Sequence, residues 1–135
     1  MDRPDIGFGM RHVALFVRDM AACERFYVDL MGMEIEWRPD DRNLYLTSGG
    51  RDNLALHQAS VDQPGDAAAQ RLDHIGFLVA SPNSVDDWYR WLSEHGVRVR
   101  NAPKDHRDGA RSFYCEDPDG NVVQMIYHPP LSSGE

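Results

Sequence analysis

The chain has 135 residues, which is enough for one domain or for two fused half-size modules. Its formal net charge of −8 argues against binding to nucleic acid or to an anionic membrane, and it is compatible with a cation held in a cleft. No apolar run approaches the roughly 18 residues of a membrane span, and the first residues lack a secretory signal pattern, so a cytoplasmic location is expected.

Cysteine usage points to packing rather than to cross-linking. The chain has two cysteines, Cys23 and Cys115, which are too few for a disulfide scaffold and lack the pairing that metal sites require. Both fall on predicted apolar faces, so we expect them to be buried in the core.

The first half of the sequence predicts a strand, a helix and three further strands. Asp19 is a suitable helix cap, and the apolar residues that follow it recur at the spacing of one helix face. Gly32 suits the residue that ends this helix. The predicted strands cover residues 10–18, 33–37, 43–47 and 54–58, and the helix covers residues 20–31.

The second half predicts the same order of elements. Residues 59–71 contain Pro64 in a polar setting and are interpreted as the linker between the halves. Ser81 and Pro82 predict the start of a helix, and Gly96 predicts its end. Strands are predicted at residues 73–80, 97–100, 111–116 and 121–128, a mobile charged segment at 101–109, and a tail at 129–135.

An eight-residue stretch occurs twice, as RHVALFVR over residues 11–18 and as DHIGFLVA over residues 73–80. It places His12 and His74 62 positions apart, and the same offset relates the apolar stripes of the two predicted helices. Alternate side chains of a strand point to opposite faces. Each copy therefore directs an apolar row toward its helix and a histidine to the opposite face, which predicts two modules related by a pseudo-twofold axis.

Three features together resemble the vicinal oxygen chelate superfamily, over about residues 10–128: the order of elements, the histidine in each first strand, and the Asp-Pro-Asp-Gly-Asn turn before the last strand. That superfamily includes glyoxalase I, fosfomycin-resistance enzymes, extradiol dioxygenases, methylmalonyl-CoA epimerase and bleomycin-resistance proteins. The resemblance implies an α+β fold of two tandem βαβββ modules, at residues 10–58 and 72–128, whose mixed sheets enclose a cavity. It further implies one domain over residues 1–135 and a homodimer.

The resemblance also implies a divalent metal ion bound by the first strand of each half and by the last strand. These positions are His12, His74 and Gln124, and Gln124 stands where the superfamily usually has a glutamate. An amide oxygen brings no negative charge, so the two-histidine-one-carboxylate set of non-haem iron enzymes is incomplete. The candidate ions are Zn, Ni, Co, Mn and Fe. The alternative is that the histidines are inherited from a metal-binding ancestor and hold no metal.

The first half offers His57 as a candidate fourth ligand or base. An offset of 69 positions pairs Tyr45 with Tyr114, and the same offset aligns Ala55 with Gln124. The resemblance to glyoxalase I implies a fourth ligand at the Ala55 position, where alanine cannot serve. His57 lies one step further along the same face, and a slip of one residue in this alignment would turn it outward.

Four further side chains are predicted to line the cavity: Phe16, Leu78, Tyr114 and Ile126. Phe16 and Leu78 would make the cavity partly apolar, as small-molecule pockets usually are. Tyr114 either directs its hydroxyl toward a ligand or is a strand aromatic with its tip in water. Trp91 is expected to pack within the helix interface, and no catalytic residue is assigned.

Three functions remain open at the level of the sequence. The first is a metal-dependent, glyoxalase-like lyase or isomerase, in which the ion polarises vicinal oxygens of a small-molecule substrate. The second is a metal-free protein of the bleomycin-resistance type, which sequesters an organic ligand and fits the acidic composition. The third is an enzyme similar to the extradiol dioxygenases. No organic cofactor is indicated, and the expected partners are a small molecule and a second copy of the chain.

Overall fold

The computed structural model describes residues 2–3, 8, 10–60 and 72–132. The chain divides into two compact units, Met1–Gln63 and Pro64–Glu135. Most of the predicted linker over residues 59–71 lies outside the described residues. Within the described part of the chain, no helix is long and apolar enough to cross a membrane.

The first unit is a four-stranded mixed sheet with helical turns between its first two strands. The strand order is β1-β4-β3-β2, in which β1 and β4 run parallel and the other neighbours are antiparallel. This is the strand–helix–three-strand order that the sequence predicts. The elements are β1 (His12–Val17), α1 (Met20–Glu24), a π-helical segment (Arg25–Leu30), β2 (Glu34–Asp40), β3 (Asn43–Thr47) and β4 (Asn53–Gln58).

The predicted helix over residues 20–31 is present, but only its first turn is α-helical. Asp19 caps it as expected, because its carboxylate accepts a hydrogen bond of 3.0 Å from the backbone N–H of Ala22. The wider π turn follows, in which the N–H of Met31 donates to the carbonyl of Phe26, five residues earlier, at 2.9 Å. Phe26 and the adjacent Tyr27 are both buried there.

Period-two alternation in β1 sorts the side chains as the sequence predicts. Leu15 and Val17 are buried, whereas Phe16 between them is 59% exposed. Across the sheet, Leu15 is in register with Leu56, which is in register with Leu44, and all three are buried. This row forms the apolar face of the first sheet, and the opposite face carries the candidate site residues.

The edge strand β2 runs further than predicted. Its residues are exposed along the whole of Glu34–Asp40, and its pairing with β3 is irregular on either side of Trp37. The sequence predicted that this strand ends at residue 37, whereas it continues to Asp40. Pro39 is tolerated here because an edge strand can lose a backbone donor without breaking the ladder on both sides.

The second unit repeats this plan. Its strand order is β5-β8-β7-β6, with β5 and β8 parallel and the other neighbours antiparallel. Two tandem βαβββ-like modules with mixed sheets are therefore present, as predicted. The elements are β5 (Ile75–Leu78), α2 (Pro82–Glu94), β6 (Lys104–Asp105), β7 (Arg111–Glu116), β8 (Val122–Tyr127) and α3 (Pro129–Ser132).

Two local predictions for the second unit are wrong. Residues 97–100 are not a strand, and they form a single bridge from Val99 to Cys115. The edge of the sheet is instead the short strand β6, which lies within the segment that the sequence predicted to be mobile. The predicted tail begins with the short helix α3. Both segments are too short for periodicity to reveal their conformation, which depends on contacts with the rest of the unit.

Helix α2 has the ends that the sequence predicts. The hydroxyl of Ser81 accepts from the N–H of Ser84 at 3.2 Å, and Gly96 ends the helix with a φ of 77° that favours glycine. Val85 and Leu92 are fully buried. Trp91 is 44% exposed, so the expectation that it packs inside is wrong. Its ring instead contacts that of His95, with 4.0 Å between the centroids.

Both cysteines are buried, as predicted, and both are free thiols. Burial raises the pKa of the Cys115 thiol to about 12, and the neighbouring Asp117 and Glu116 add to the rise. Because the thiolate is the reactive form of cysteine, Cys115 is a packing residue rather than a nucleophile.

Candidate functional site

The amide of Gln124 is held on the face of the second sheet that is opposite α2. Gly76, Gln124 and Tyr114 are neighbours in register across β5, β8 and β7. The Nε2 of Gln124 donates to the hydroxyl oxygen of Tyr114 at 3.2 Å. This bond leaves the amide oxygen Oε1 on the side of Gly76, where a Cβ would lie 3.6 Å away from it. A side chain at position 76 would therefore come into ordinary van der Waals contact with that oxygen.

His74 lies directly before β5, beside the same row. Its Nδ1 is 2.6 Å from the carboxylate of Asp73, and since a carboxylate only accepts, Nδ1 carries the proton. The Nε2 atom of the neutral ring is then left with a free lone pair. The ring also packs edge-on against Tyr114, with 5.3 Å between centroids. His74, Tyr114 and Gln124 thus form one continuous set of contacts within the second unit.

His12 in the first unit is also oriented by a carboxylate, but an asparagine side chain lies between the two groups. Its Nδ1 lies 2.7 Å from the Oδ1 of Asn53, and the Nδ2 of Asn53 donates to the carboxylate of Glu36 at 3.2 Å. Because Glu36 fixes which end of the amide is the donor, Asn53 must accept from the Nδ1–H of His12. The Nε2 of His12 is again the atom with the lone pair.

His57 repeats this arrangement on β4. Its Nδ1 lies 2.7 Å from the Oδ1 of Asn43, whose Nδ2 donates to the carboxylate of Asp40 at 3.0 Å. The backbone N–H of Arg42 and then the side chain of Asn43 lower the pKa of Asp40, so this carboxylate is firmly ionised at neutral pH. The ring of His57 packs against Tyr45 on the face of the sheet that also carries Phe16.

The three predicted histidines therefore share one feature, a ring nitrogen tied directly or through asparagine to a carboxylate. Such outer partners fix the tautomer and orientation of histidines that bind metal ions or accept protons. The sequence reasoning missed these partners, but the strand register could have located two of them. Asn43 lies opposite His57 on the neighbouring strand β3, and Asn53 lies opposite His12 across β1 and β4.

An exposed aromatic row crosses the same face of the first sheet. Trp37, which is 59% exposed, stacks on Tyr45 with 5.2 Å between ring centroids. Tyr45 meets His57 edge-on at 5.9 Å, and His57 lies 6.2 Å from Phe16. Each of these rings comes from a different strand, so the row spans the whole sheet.

A cavity of about 460 Å³ opens in the second unit. Three residues that the sequence proposed as site residues line it, namely Tyr114, Gln124 and Ile126. Leu78 is in register with Ile126 and is 50% exposed. The sequence reasoning missed the remaining wall because it interpreted that segment as mobile. The added lining residues are His106, Arg107, Asp108 and Ala110.

The predicted ligands come from both units, with His12 and His57 in the first and His74 and Gln124 in the second. In the part of the chain that the structure describes, no three histidine, cysteine, aspartate or glutamate side chains cluster as a metal site would require.

Comparison with known proteins agrees with this architecture. The model of the Glyoxalase/Bleomycin resistance protein/Dioxygenase superfamily matches residues 9–125. The chain is 30% identical over 131 residues to the uncharacterized protein PA2024 of Pseudomonas aeruginosa, covering 93% of this chain and 92% of that one. It is also 30% identical over 118 residues to the metallothiol transferase FosB of Staphylococcus haemolyticus, covering 87% of this chain and 81% of that one.

Among solved structures, the lactoylglutathione lyase of Agrobacterium tumefaciens superposes with a TM-score of 0.73 at 24% identity, covering 93% of this chain and 96% of that one. This likeness establishes the fold alone. The match of the superfamily model over most of the sequence establishes the family, and the chain belongs to the Glyoxalase/Bleomycin resistance protein/Dioxygenase superfamily.

Proposed function

We propose that the protein is a metal-dependent, glyoxalase-like lyase or isomerase that acts on a small molecule. The proposed ligands in the second unit are the Nε2 of His74 and the Oε1 of Gln124, and His12 is the third ligand that the sequence predicts. The observation that carries the proposal is the hydrogen bonding of His74 and Gln124. The Nδ1–H of His74 and the amide nitrogen of Gln124 are both engaged, which leaves Nε2 of His74 and Oε1 of Gln124 to bind the ion. The ion would supply Lewis acidity toward neighbouring oxygens of the substrate.

The other side chains have supporting roles in this proposal. Asp73 holds the tautomer of His74, and Tyr114 holds the orientation of the Gln124 amide. His57 remains the candidate base or fourth ligand, because Asn43 and Asp40 keep its Nε2 free of a proton in the neutral ring. The metallothiol transferase FosB of Staphylococcus haemolyticus, which is similar over most of the chain, is consistent with enzymatic action on a small molecule.

Titration with a divalent metal tests the proposal directly. The parent protein, purified without chelator, is expected to bind one equivalent of Zn²⁺, Ni²⁺ or Co²⁺ in equilibrium dialysis. Gln124→Glu is expected to tighten the binding, on the order of tenfold or more, because it adds a full negative charge at bonding distance from the ion. The control variant Ser93→Glu adds the same charge on the exposed face of α2 and should leave the affinity unchanged.

Two results of this titration would contradict the metal site. One is a parent protein that binds no metal above the background of the dialysis buffer. The other is a Gln124→Glu variant that binds no more tightly than Ser93→Glu, since the carboxylate would then act only through the net charge of the protein.

The exposed aromatic row favours a second candidate function, metal-free binding of an organic ligand. Trp37, Tyr45 and Phe16 offer ring faces and edges on one sheet surface, and the chain carries a net charge of −8. Planar organic cations suit both features, since they stack on aromatic rings and are attracted by the charge.

Melting curves with chelator present distinguish the two candidates. A panel of aromatic cations is expected to raise the melting temperature of the parent protein and to raise that of Trp37→Ala much less, because the variant loses the outermost ring of the row. Trp91→Ala, which removes an exposed tryptophan on α2, is the matched control. If no aromatic cation raises the melting temperature in chelator, whereas divalent metal ions raise it in chelator-free buffer, this second function is wrong.

A further inference from the structure

The turn between β6 and β7 forms one wall of the cavity in the second unit. Two backbone hydrogen bonds close it: the N–H of Gly109 donates to the carbonyl of His106 at 3.1 Å, and the N–H of His106 donates to the carbonyl of Ala110 at 2.8 Å. Gly109 has a φ of 87°, which favours glycine. Arg107 and Asp108 occupy the corner of the turn and line the cavity. The position of this compact turn therefore sets the shape of the wall.

Two contacts join the turn to the segment that follows β8. A Cβ at Gly109 would lie 3.5 Å from the Cγ of Pro129, so the backbone of the turn closely approaches the start of α3. The carboxylate of Asp108 lies beside the ring of His128, with 3.8 Å between an oxygen and Nδ1. The other carboxylate oxygen accepts from the N–H of Ala110 at 3.0 Å, which fixes the direction of the side chain. One apolar contact and one ionisable pair thus hold the turn against the C-terminal segment.

The contact between Asp108 and His128 depends on charge. At 3.8 Å the two atoms are too far apart for a hydrogen bond, so a neutral ring gains little from the carboxylate. A protonated ring is attracted to the carboxylate across the same distance. His106 differs, because its Nε2 lies 2.8 Å from the hydroxyl of Ser112 and can accept that hydrogen bond as a neutral ring. Protonation of His128 therefore controls whether the turn is attracted to the C-terminal segment.

Most other charged groups linked to the turn keep their charge between about pH 5 and pH 8. They are Arg107 on the turn itself, Lys104 and Asp105 on β6, Arg111 on β7 and Asp86 on α2. The guanidinium of Arg111 is already paired with Asp86 at 2.8 Å and with Asp105 at 2.9 Å. Histidine, by contrast, is the side chain that ordinarily changes its charge in this range. The turn contains a second histidine, His106, whose effect has to be separated from that of His128.

We propose that the ion pair between His128 and Asp108 is a pH-dependent latch, which holds the β6–β7 turn against the C-terminal segment while His128 is protonated. The attraction is present in mildly acidic solution and is lost as the pH rises and the imidazole loses its proton. The turn then separates from Pro129 more often, and the wall that Arg107 and Asp108 form opens. Both members of the pair are partly exposed, so the latch changes the ratio of closed to open turn by only about 2- to 5-fold.

The latch itself requires neither a metal ion nor a substrate. Its effect on catalysis rests on the proposed function, because Gln124 lines the same cavity as the turn. The latch is therefore tested on metal-free protein, with chelator present throughout.

Nuclear magnetic resonance at about pH 5.5 and about pH 8 measures the state of the turn. Cross-relaxation between the Hα protons of Gly109 and the ring protons of Pro129 reports contact, and relaxation dispersion of the Gly109 Cα gives the ratio of closed to open turn. In the parent protein this ratio is expected to fall about 2- to 5-fold at the higher pH. His128→Gln removes the charge and should show the lower ratio at both pH values. His128→Lys keeps a positive charge and should show the higher ratio at both.

Two further variants make the result specific. Asp108→Asn can still accept from the N–H of Ala110 but carries no charge, so it should lose the pH response. His106→Gln is the matched control, since it removes the other histidine of the wall and should keep the response of the parent.

The latch is refuted if the ratio in the parent does not change with pH, if His106→Gln abolishes the change, or if His128→Lys opens at the higher pH as the parent does. A working latch in a protein that binds no metal would refute only the proposed function. A turn that does not respond to pH, in a protein that binds metal, would refute only the latch.

Discussion

Replacing His74 with alanine is expected to abolish stoichiometric binding of a divalent metal, with a loss of affinity well beyond 100-fold. The reason is that the variant removes a ligand itself, whereas loss of an outer partner typically costs about 10- to 100-fold. The fold should survive, because His74 lies just before β5, its imidazole is partly exposed, and its ion pair with Asp73 is too exposed to contribute much stability. Competition dialysis against a chromophoric chelator measures the change.

Two matched variants make this result specific. Asp73→Asn keeps His74 as a ligand but weakens the hydrogen bond that fixes the tautomer of its ring. The affinity of this variant for the metal ion should therefore fall only by about 10- to 100-fold. His95→Ala removes a histidine of the same unit that bonds to the carbonyl of Trp91 at the end of α2, and metal binding should not change. Equal affinities for the His74→Ala and His95→Ala variants would show that His74 is not a ligand.

Replacing Phe113 with alanine should lower the free energy of unfolding by about 3–5 kcal/mol, the usual cost of removing a buried aromatic ring. Phe113 is fully buried in the second unit, in register with Met125 and edge-on to Tyr89 of α2, with 5.5 Å between ring centroids. The variant loses this packing and leaves a void between helix and sheet. Urea unfolding of the parent and the variant, followed by circular dichroism, gives the difference.

Phe16→Ala is the control for this experiment, since it deletes the same ring from an exposed position. Phe16 is in register with His57 on the open face of the first sheet, and its loss should change the free energy of unfolding by only about 0.5 kcal/mol. If Phe113→Ala and Phe16→Ala lower the free energy of unfolding by similar amounts, the burial of Phe113 is not what stabilises the second unit.

Most of the fold could be predicted from the repeat in the sequence. The offset of 69 positions predicted that Ala55 and Gln124 are equivalent, and the structure pairs Tyr45 with Ala55 and Tyr114 with Gln124 in the two sheets. Such agreement is expected because a one-residue slip would move every apolar side chain of a strand to the wrong face. The helix caps at Asp19 and Ser81 were predictable for a similar reason, since their hydrogen bonds are local.

Features that depend on distant partners could not be predicted in this way. The π turn over Arg25–Leu30 has a wider hydrogen-bond repeat than the α-helix that the apolar spacing predicted, and the sequence pattern did not reveal it. The charged loop around Arg107 looked mobile by composition, yet Arg111 connects its flanking strand to α2. The hydrogen bonds of His12 and His57 with asparagine side chains could not be predicted either, because they join residues that are neighbours only across the folded strands.

The construction of edge strand β2 has a consequence for how the protein behaves at high concentration. An open edge normally invites another chain to add a strand, which is the first step toward fibrils. Here the edge strand contains Pro39 and carries carboxylates at Glu34 and Glu36. Its register with β3 also shifts on either side of Trp37. A flat incoming strand would meet a proline without an N–H group, an irregular register and repelling charge, so self-association by continuous sheet extension is disfavoured along β2.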